Sequence, residues 1–245
     1  MAFGMFCTIP LPSYWDNKAT KFIMPWFPVV GVLIGIVWWL GALGLQELQP
    51  WVSTYISAVI FMIIPFVFTG FIHLDGYMDT SDAILSRRNL EDKLRILKDS
   101  SVGAFSVIML VLLFVFLFAS SAVLVEKNTN LSLLIIIPIL SRSCSALGIL
   151  SMRPLTPDGY ASLFKPDLPR PQIIVTMIIA VIAVAFGWFL GDLRGLIVAF
   201  AVVLGYGAAL LITQKSFAFR GISGDLAGFS MTISELTGLL ALAVI

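Results

Sequence analysis

Apolar runs of bilayer length recur along this chain, and they limit what it can fold into more than any other feature. They are Phe27 to Leu45, Trp51 to Ile72, Ala104 to Val125, Leu131 to Leu150, Ile173 to Leu190, Leu196 to Ile212 and Leu226 to Ile245. A helix needs about 20 apolar residues to cross the hydrocarbon, so these runs predict about seven spans. Inside lipid the backbone must satisfy its own polar groups, which a helix does within one segment. The expected fold class is all-α: a polytopic transmembrane helical bundle forming a single integral membrane domain over residues 1–245. With 59% hydrophobic residues, 12% charged residues and a mean hydropathy of +1.02, the composition lies well outside the range of soluble domains. A net charge of +1 provides no global field for nucleic acid, and none is expected as a partner.

The segments between the runs set the orientation. Met1 to Met24 is interrupted by Pro10, Pro12, Asp16, Lys18 and Lys21, a pattern for an interfacial segment. It has no basic stretch ahead of an apolar core, so no cleavable leader is expected. Arg87 to Lys98 carries Leu90, Leu94 and Leu97 at helical spacing among basic residues, which predicts an amphipathic helix on the membrane surface. Ser151 to Arg170 is a polar loop with Arg153, Asp158, Lys165 and Asp167. Lys18, Lys21, the Arg87–Lys98 cluster, Arg153, Lys165, Arg170, Lys215 and Arg220 all fall in one set of loops; only Lys127 and Arg194 fall in the other. Cytoplasmic loops are enriched in Lys and Arg, so the N-terminus is expected in the cytoplasm, with every polar motif on that side. Gly31, Gly35, Gly41 and Gly44 suggest close helix approach in the first span. Cys7 and Cys144 have no metal-ligand spacing and read as small apolar fillers. A homo-oligomer is compatible with all of this.

Charge gathers where the second apolar run ends. His73, the one histidine, is followed by Asp75, Asp79 and Asp82 at i, i+4 and i+7, which puts the three carboxylates on one helical face. Like charges so close are unfavourable without a cation among them, and hard divalent cations prefer carboxylate oxygen. His73 is a candidate general base, metal ligand or orienter of Asp75. Asp99-Ser100-Ser101-Val102-Gly103 precedes the third span; Asp99 is a further ligand candidate, and Ser100 and the helix-start amides suit phosphate oxygens or an ordinary cap. Arg220-Gly221-Ile222-Ser223-Gly224-Asp225 combines an arginine, two glycines and a carboxylate at a helix start, an anion cradle with one more metal oxygen. Arg142 and Glu235 lie within spans, roughly 12 and 15 Å from their ends at about 1.5 Å per residue. Intramembrane charges need partners, and these two are expected to pair.

Taken together, His73-Leu74-Asp75-Gly76 with Asp79 and Asp82, Lys98 to Phe105, and Gly221 to Asp225 with Glu235 resemble the cobalamin synthase family, the adenosylcobinamide-GDP ribazoletransferases. The likeness runs from Ile9-Pro10-Leu11-Pro12 through Pro28 to Gly35 and on to the final span. Family members often have an arginine before the early Ile-Pro pair, where this chain has Cys7-Thr8. The resemblance implies a Mg²⁺-dependent enzyme of the bacterial or archaeal cytoplasmic membrane, with its active site facing the cytoplasm. It would transfer adenosylcobinamide phosphate from adenosylcobinamide-GDP to α-ribazole or its 5′-phosphate, releasing GMP. Asp75, Asp79 and Asp82 would serve the metal and diphosphate, with Asp99 and Asp225 as further ligands. His73 or a carboxylate would take the hydroxyl proton, and Arg95, Lys98, Ser100, Gly103, Arg220, Gly221 and Gly224 would contact substrate. Another intramembrane phosphotransferase or prenyltransferase would use the same metal logic, and an ion-coupled transporter would suit Glu235 alone.

Overall fold

The computed structural model describes residues 1–10, 16, 19–49, 51–127, 130–157, 159–166 and 169–245. Leu11, Pro12, Lys18, Asp158 and Asp167, used in reading the sequence, lie outside the described residues. The helices are α1 (Ala2–Phe6), α2 (Ile23–Glu47), α3 (Thr54–Thr69), α4 (Ile72–Leu85), α5 (Leu90–Ile96), α6 (Ala104–Glu126), α7 (Ile136–Ser151), α8 (Tyr160–Leu163), α9 (Arg170–Ser216) and α10 (Gly224–Val244). Short 3₁₀ turns, Thr20–Phe22 and Leu131–Ile135, lead into α2 and α7. Among the described residues the extended pairing amounts to one isolated bridge, Pro154 with Ile222.

Among the described residues five helical segments are long and apolar enough to cross a bilayer, and the bent pair α3–α4 makes a sixth. The longest, α9, has 47 residues. That is about 70 Å at 1.5 Å per residue, more than twice the roughly 30 Å of hydrocarbon. It is broken at Gly191 and Asp192, where φ and ψ leave the helical region (−149°, 19° and 49°, −129°). A Cβ built on Gly195 would land on the carbonyl of Gly187, a contact that residues eight apart in a straight helix cannot make. The two limbs of α9 therefore fold back on each other, and Ile173 and Leu210, near their far ends, pack in one apolar cluster. Counting both limbs, the crossings reach the seven expected; counting α9 once, they do not. This protein is a multi-pass helical membrane protein.

The bundle is organised around α7, whose residues are buried along nearly the whole length by α2, α9 and α10. Gly31 of α2 lies against the backbone of Pro138, and a Cβ on Gly35 would be 2.6 Å from the Ile135 carbonyl oxygen. Without side chains there, α2 meets α7 backbone to backbone, the small-residue packing that drives helix association in lipid. Gly41 and Gly44 do not share this role: a Cβ on Gly41 would meet only the Ile64 side chain, and Gly44 faces open space.

The second run divides at Gly70 (φ 63°) and Phe71 (φ 61°), where the chain turns by 96° from α3 into α4. Pro65 stays within α3. Tyr77 fastens α4 to its neighbours: its hydroxyl donates to the Met109 carbonyl of α6 (3.1 Å) and its ring stacks on Phe229 of α10 (5.4 Å, 10°). The amphipathic reading of Arg87 to Lys98 corresponds to α5, begun by Asn89, whose Oδ1 accepts from Asp92 N, and half-buried along Leu90, Leu94 and Leu97. Lys93 Nζ ties α5 to the end of α9 by donating to the Ser216 carbonyl (3.3 Å).

Candidate active site

Asp75, Asp79 and Asp82 project from α4, and Asp225 stands in the first turn of α10. The absence of a side chain on Gly76 brings the two helices together, since a Cβ there would be 2.8 Å from the Asp225 Cα. Gly228, one turn further along α10, passes over the His73 carbonyl, to which the Thr232 hydroxyl donates (3.4 Å). Asp79 consequently has Asp75, Asp82 and Asp225 all within electrostatic range. Among the described residues no salt bridge reaches any of these four carboxylates. Ser223 caps α10, its Oγ accepting from Leu226 N (3.2 Å) and its hydroxyl donating to Asp225 Oδ2 (3.4 Å).

The structure brings some of the other sequence-derived candidates to this seam and places others elsewhere. Asp82 lies against Gly103, and the two share a cleft of about 640 Å³ with Arg88, Arg95 and Asp99. Arg95 is exposed and pairs with Asp92 (3.0 Å). Asp99 is also exposed; the Ser101 hydroxyl (2.7 Å) and backbone N–H (2.9 Å) both donate to its Oδ1 and hold its carboxyl below the usual carboxylate range. Lys98 and Ser100 are exposed in the same turn. Gly224 opens α10 with free space where a Cβ would be, beside Asp225.

Gly221 is placed differently: at φ 139° it packs against the Arg153 carbonyl and Pro154, inside the joint between two loops. That joint is made by Ile222 N donating to Arg153 O (2.9 Å), Leu155 N to Ile222 O (2.8 Å) and Arg153 Nε to Arg220 O (2.7 Å). Gly221 thus shapes the loop that presents Asp225, and Arg220 is an exposed residue on it.

Arg142 and Glu235 form an ion pair of 2.5 Å, and Glu235 Oε1 also accepts from the Ser141 hydroxyl (2.8 Å). The guanidinium lies 5.7 Å from the centre of the Phe27 ring and donates to the Pro138 carbonyl (3.3 Å). Glu235, the residue suited to ion transport, is spent on this pair.

His73 walls a pocket that Asp75 and Asp225 also line. Its ring lies against Phe6 (6.1 Å) and Phe27 (5.8 Å), in the wall of this apolar pocket, which sequence reading missed. Phe6, Phe27, Ser145, Tyr160 and Phe164 in that wall look like packing residues in the sequence, and only their convergence on His73 marks them.

A divalent cation fits this constellation in a limited sense. Among the described residues no three His, Cys, Asp or Glu side chains converge tightly enough to hold an ion by themselves. Four mutually repelling carboxylates on two adjoining helices would nevertheless suit a cation such as Mg²⁺, which takes one or two carboxylates and fills its octahedron with water and substrate phosphate.

Fold and site together define a polytopic helical membrane protein with an acidic centre between two of its helices. The family model described as cobalamin-5-phosphate synthase matches residues 1–243, and this chain belongs to that family. It is 41% identical to the adenosylcobinamide-GDP ribazoletransferase of Clostridium perfringens (strain SM101 / Type A), covering 100% of this chain and 96% of that protein. Proteins of the same name from Clostridium botulinum (strain Alaska E43 / Type E3) and Brevibacillus brevis (strain 47 / JCM 6285 / NBRC 100599) are 37% and 32% identical, each over 98% of this chain and 94% and 95% of theirs. No solved structure matches the chain.

Proposed function

We infer that this chain is an adenosylcobinamide-GDP ribazoletransferase of cobalamin biosynthesis. The observation that carries the reading is the four-carboxylate seam of α4 and α10, in a chain similar from end to end to proteins of that name. The reaction joins a ribose hydroxyl of α-ribazole, or its 5′-phosphate, to the phosphorus that bears cobinamide. The new O–P bond forms as the bond from that phosphorus to the GMP phosphate breaks. The hydroxyl proton passes to a carboxylate, for which Asp75 is well placed at the mouth of the apolar pocket, and GMP leaves with the electron pair.

Asp75, Asp79, Asp82 and Asp225 are the residues that would hold Mg²⁺, with Asp99 further out along the cleft. When bound there, the ion supplies charge neutralisation for the diphosphate and the departing GMP. Arg88 and Arg95, together with Lys98, Ser100 and Gly103, suit the nucleotide phosphates across the cleft from Asp82; Arg220 and Gly224 stand on the α10 side. The basic residues cluster at this same end, and this charge bias supports a site that faces the cytoplasm.

The test is direct. Protein purified in nanodiscs and incubated with adenosylcobinamide-GDP, α-ribazole and Mg²⁺ should release GMP and an adenosylcobalamin product, and EDTA should stop both. Release of guanosine products without α-ribazole incorporation would sink the reading.

A further inference from the structure

The carboxylate seam has an apolar neighbour. A cavity of about 300 Å³ opens beside Asp75 and Asp225, with walls from α1, α2, α7 and the α8 segment. Phe6, Phe27, Ile149 and Phe164 dominate it, and Asp75 and Asp225 sit at its edge. The His73 imidazole makes no hydrogen bond among the described residues, and its Nε2 is buried without a partner. Buried polar groups are paired in the great majority of folded proteins, so an idle imidazole in a pocket wall points to a ligand that uses it. The volume is at the lower end of the roughly 300–1,000 Å³ typical of small-molecule sites.

The transferred group and the leaving group have little use for such a place. Phosphates and ribose hydroxyls are polar throughout, and guanine would bring a carbonyl, an amino group and ring N–H donors against an inner wall of Phe6, Phe27, Ile149 and Phe164, with the two carboxylates at the edge. The base of the acceptor is different: α-ribazole carries a flat dimethylbenzimidazole, one ring nitrogen of which bears the sugar. The other nitrogen is its single hydrogen-bond acceptor, which matches the one unspent imidazole.

Resting on the ribazoletransferase reading, we propose that this pocket is the subsite for the acceptor's base, which lies among Phe6, Phe27 and Phe164 and accepts a hydrogen bond from His73. The ribose then emerges at the pocket mouth, where Asp75 and Asp225 stand beside its hydroxyls. His73 is on this account a specificity residue that touches the acceptor, and proton transfer falls to the carboxylates.

Calorimetric binding of α-ribazole to the purified protein, without the donor nucleotide, tests the pocket separately from turnover. Wild-type protein should bind α-ribazole at least about tenfold tighter than the indole analogue that has C–H in place of the free ring nitrogen. His73→Leu should bind the two alike. Ser145→Leu, which fills the cavity, should weaken α-ribazole binding by about tenfold or more and leave GMP binding unchanged. Tyr160→Ala changes an exposed residue at the mouth, so it keeps the fold and should weaken α-ribazole several-fold. Equal wild-type affinity for α-ribazole and the indole analogue, no binding of either, or a Ser145→Leu defect confined to GMP would each overturn the proposal. Absence of turnover in wild-type protein that shows the predicted binding would instead strike the transferase reading.

Discussion

At Asp79 the repulsion of three other carboxylates converges, and that gives a pair of opposed expectations. Asp79→Asn should lower kcat by about 10²–10³, the order found when one preorganised electrostatic group is removed from an active site. The same change relieves like-charge repulsion, so the variant should unfold at a higher temperature than wild type when both are heated in EDTA. GMP release and a melting curve measure the two halves. The Arg142–Glu235 pair behaves in the contrary sense. With the guanidinium 1% exposed, Arg142→Met or Glu235→Leu alone should cost about 3–5 kcal/mol by stranding a buried charge, and the double substitution should recover most of it. Detergent-phase thermal unfolding of the three variants checks this. The spacing of Asp75, Asp79 and Asp82 was legible in the sequence because helical periodicity alone puts them on one face. Gly221 has a further role that the sequence does not mark, because its conformation serves a joint with Arg153, a residue far away along the chain. The aromatic wall around His73 was invisible for the same reason: Phe6 and Phe27 reach it from α1 and α2, and phenylalanine in an apolar run carries no mark of its partner.

Among the helices, α4 decides whether a site exists at all. Its Gly76 is in backbone contact with Asp225, so Gly76→Ala must push α4 away from α10. A displacement of that kind at a reacting centre should lower turnover by at least about tenfold, while the protein remains folded. Circular dichroism alongside the GMP assay separates the two effects. That α4 is helical follows from its sequence, and Gly70 announces a break before it. The turn of 96° does not follow, because it also requires Phe71 in the left-handed region, where its N–H donates back to the Phe66 carbonyl (3.0 Å). The two limbs of α9 were separable in the sequence by the weaker hydropathy around Gly191 to Gly195. The reversal itself shows in the backbone angles of Gly191 and Asp192 and in the Gly187–Gly195 approach.

Across the whole molecule, charge is sorted between the ends. Lys127 and Arg194 lie at the end where Gln49 Nε2 donates to the Val125 carbonyl (2.7 Å) and Asn130 Nδ2 to that of Leu190 (2.6 Å), opposite the carboxylate seam. In a Cys7→Ser, Cys144→Ser background, Ser100→Cys should resist a membrane-impermeant maleimide in intact cells and react in inverted vesicles, and Arg194→Cys should do the reverse. Reaction of both from one side would overturn the orientation. The seam also has a consequence for biosynthesis, since it joins the second apolar run to the last. At about 5–20 residues per second, the acidic face of α4 leaves the ribosome roughly 7–30 s before Asp225 follows it. Until then the carboxylates have no α10 to lean on, and the incomplete chain is half a site, unable to close on a nucleotide. Catalytic competence therefore waits on α10, about 140 residues after the carboxylates of α4, and arrives only when that helix has entered the membrane.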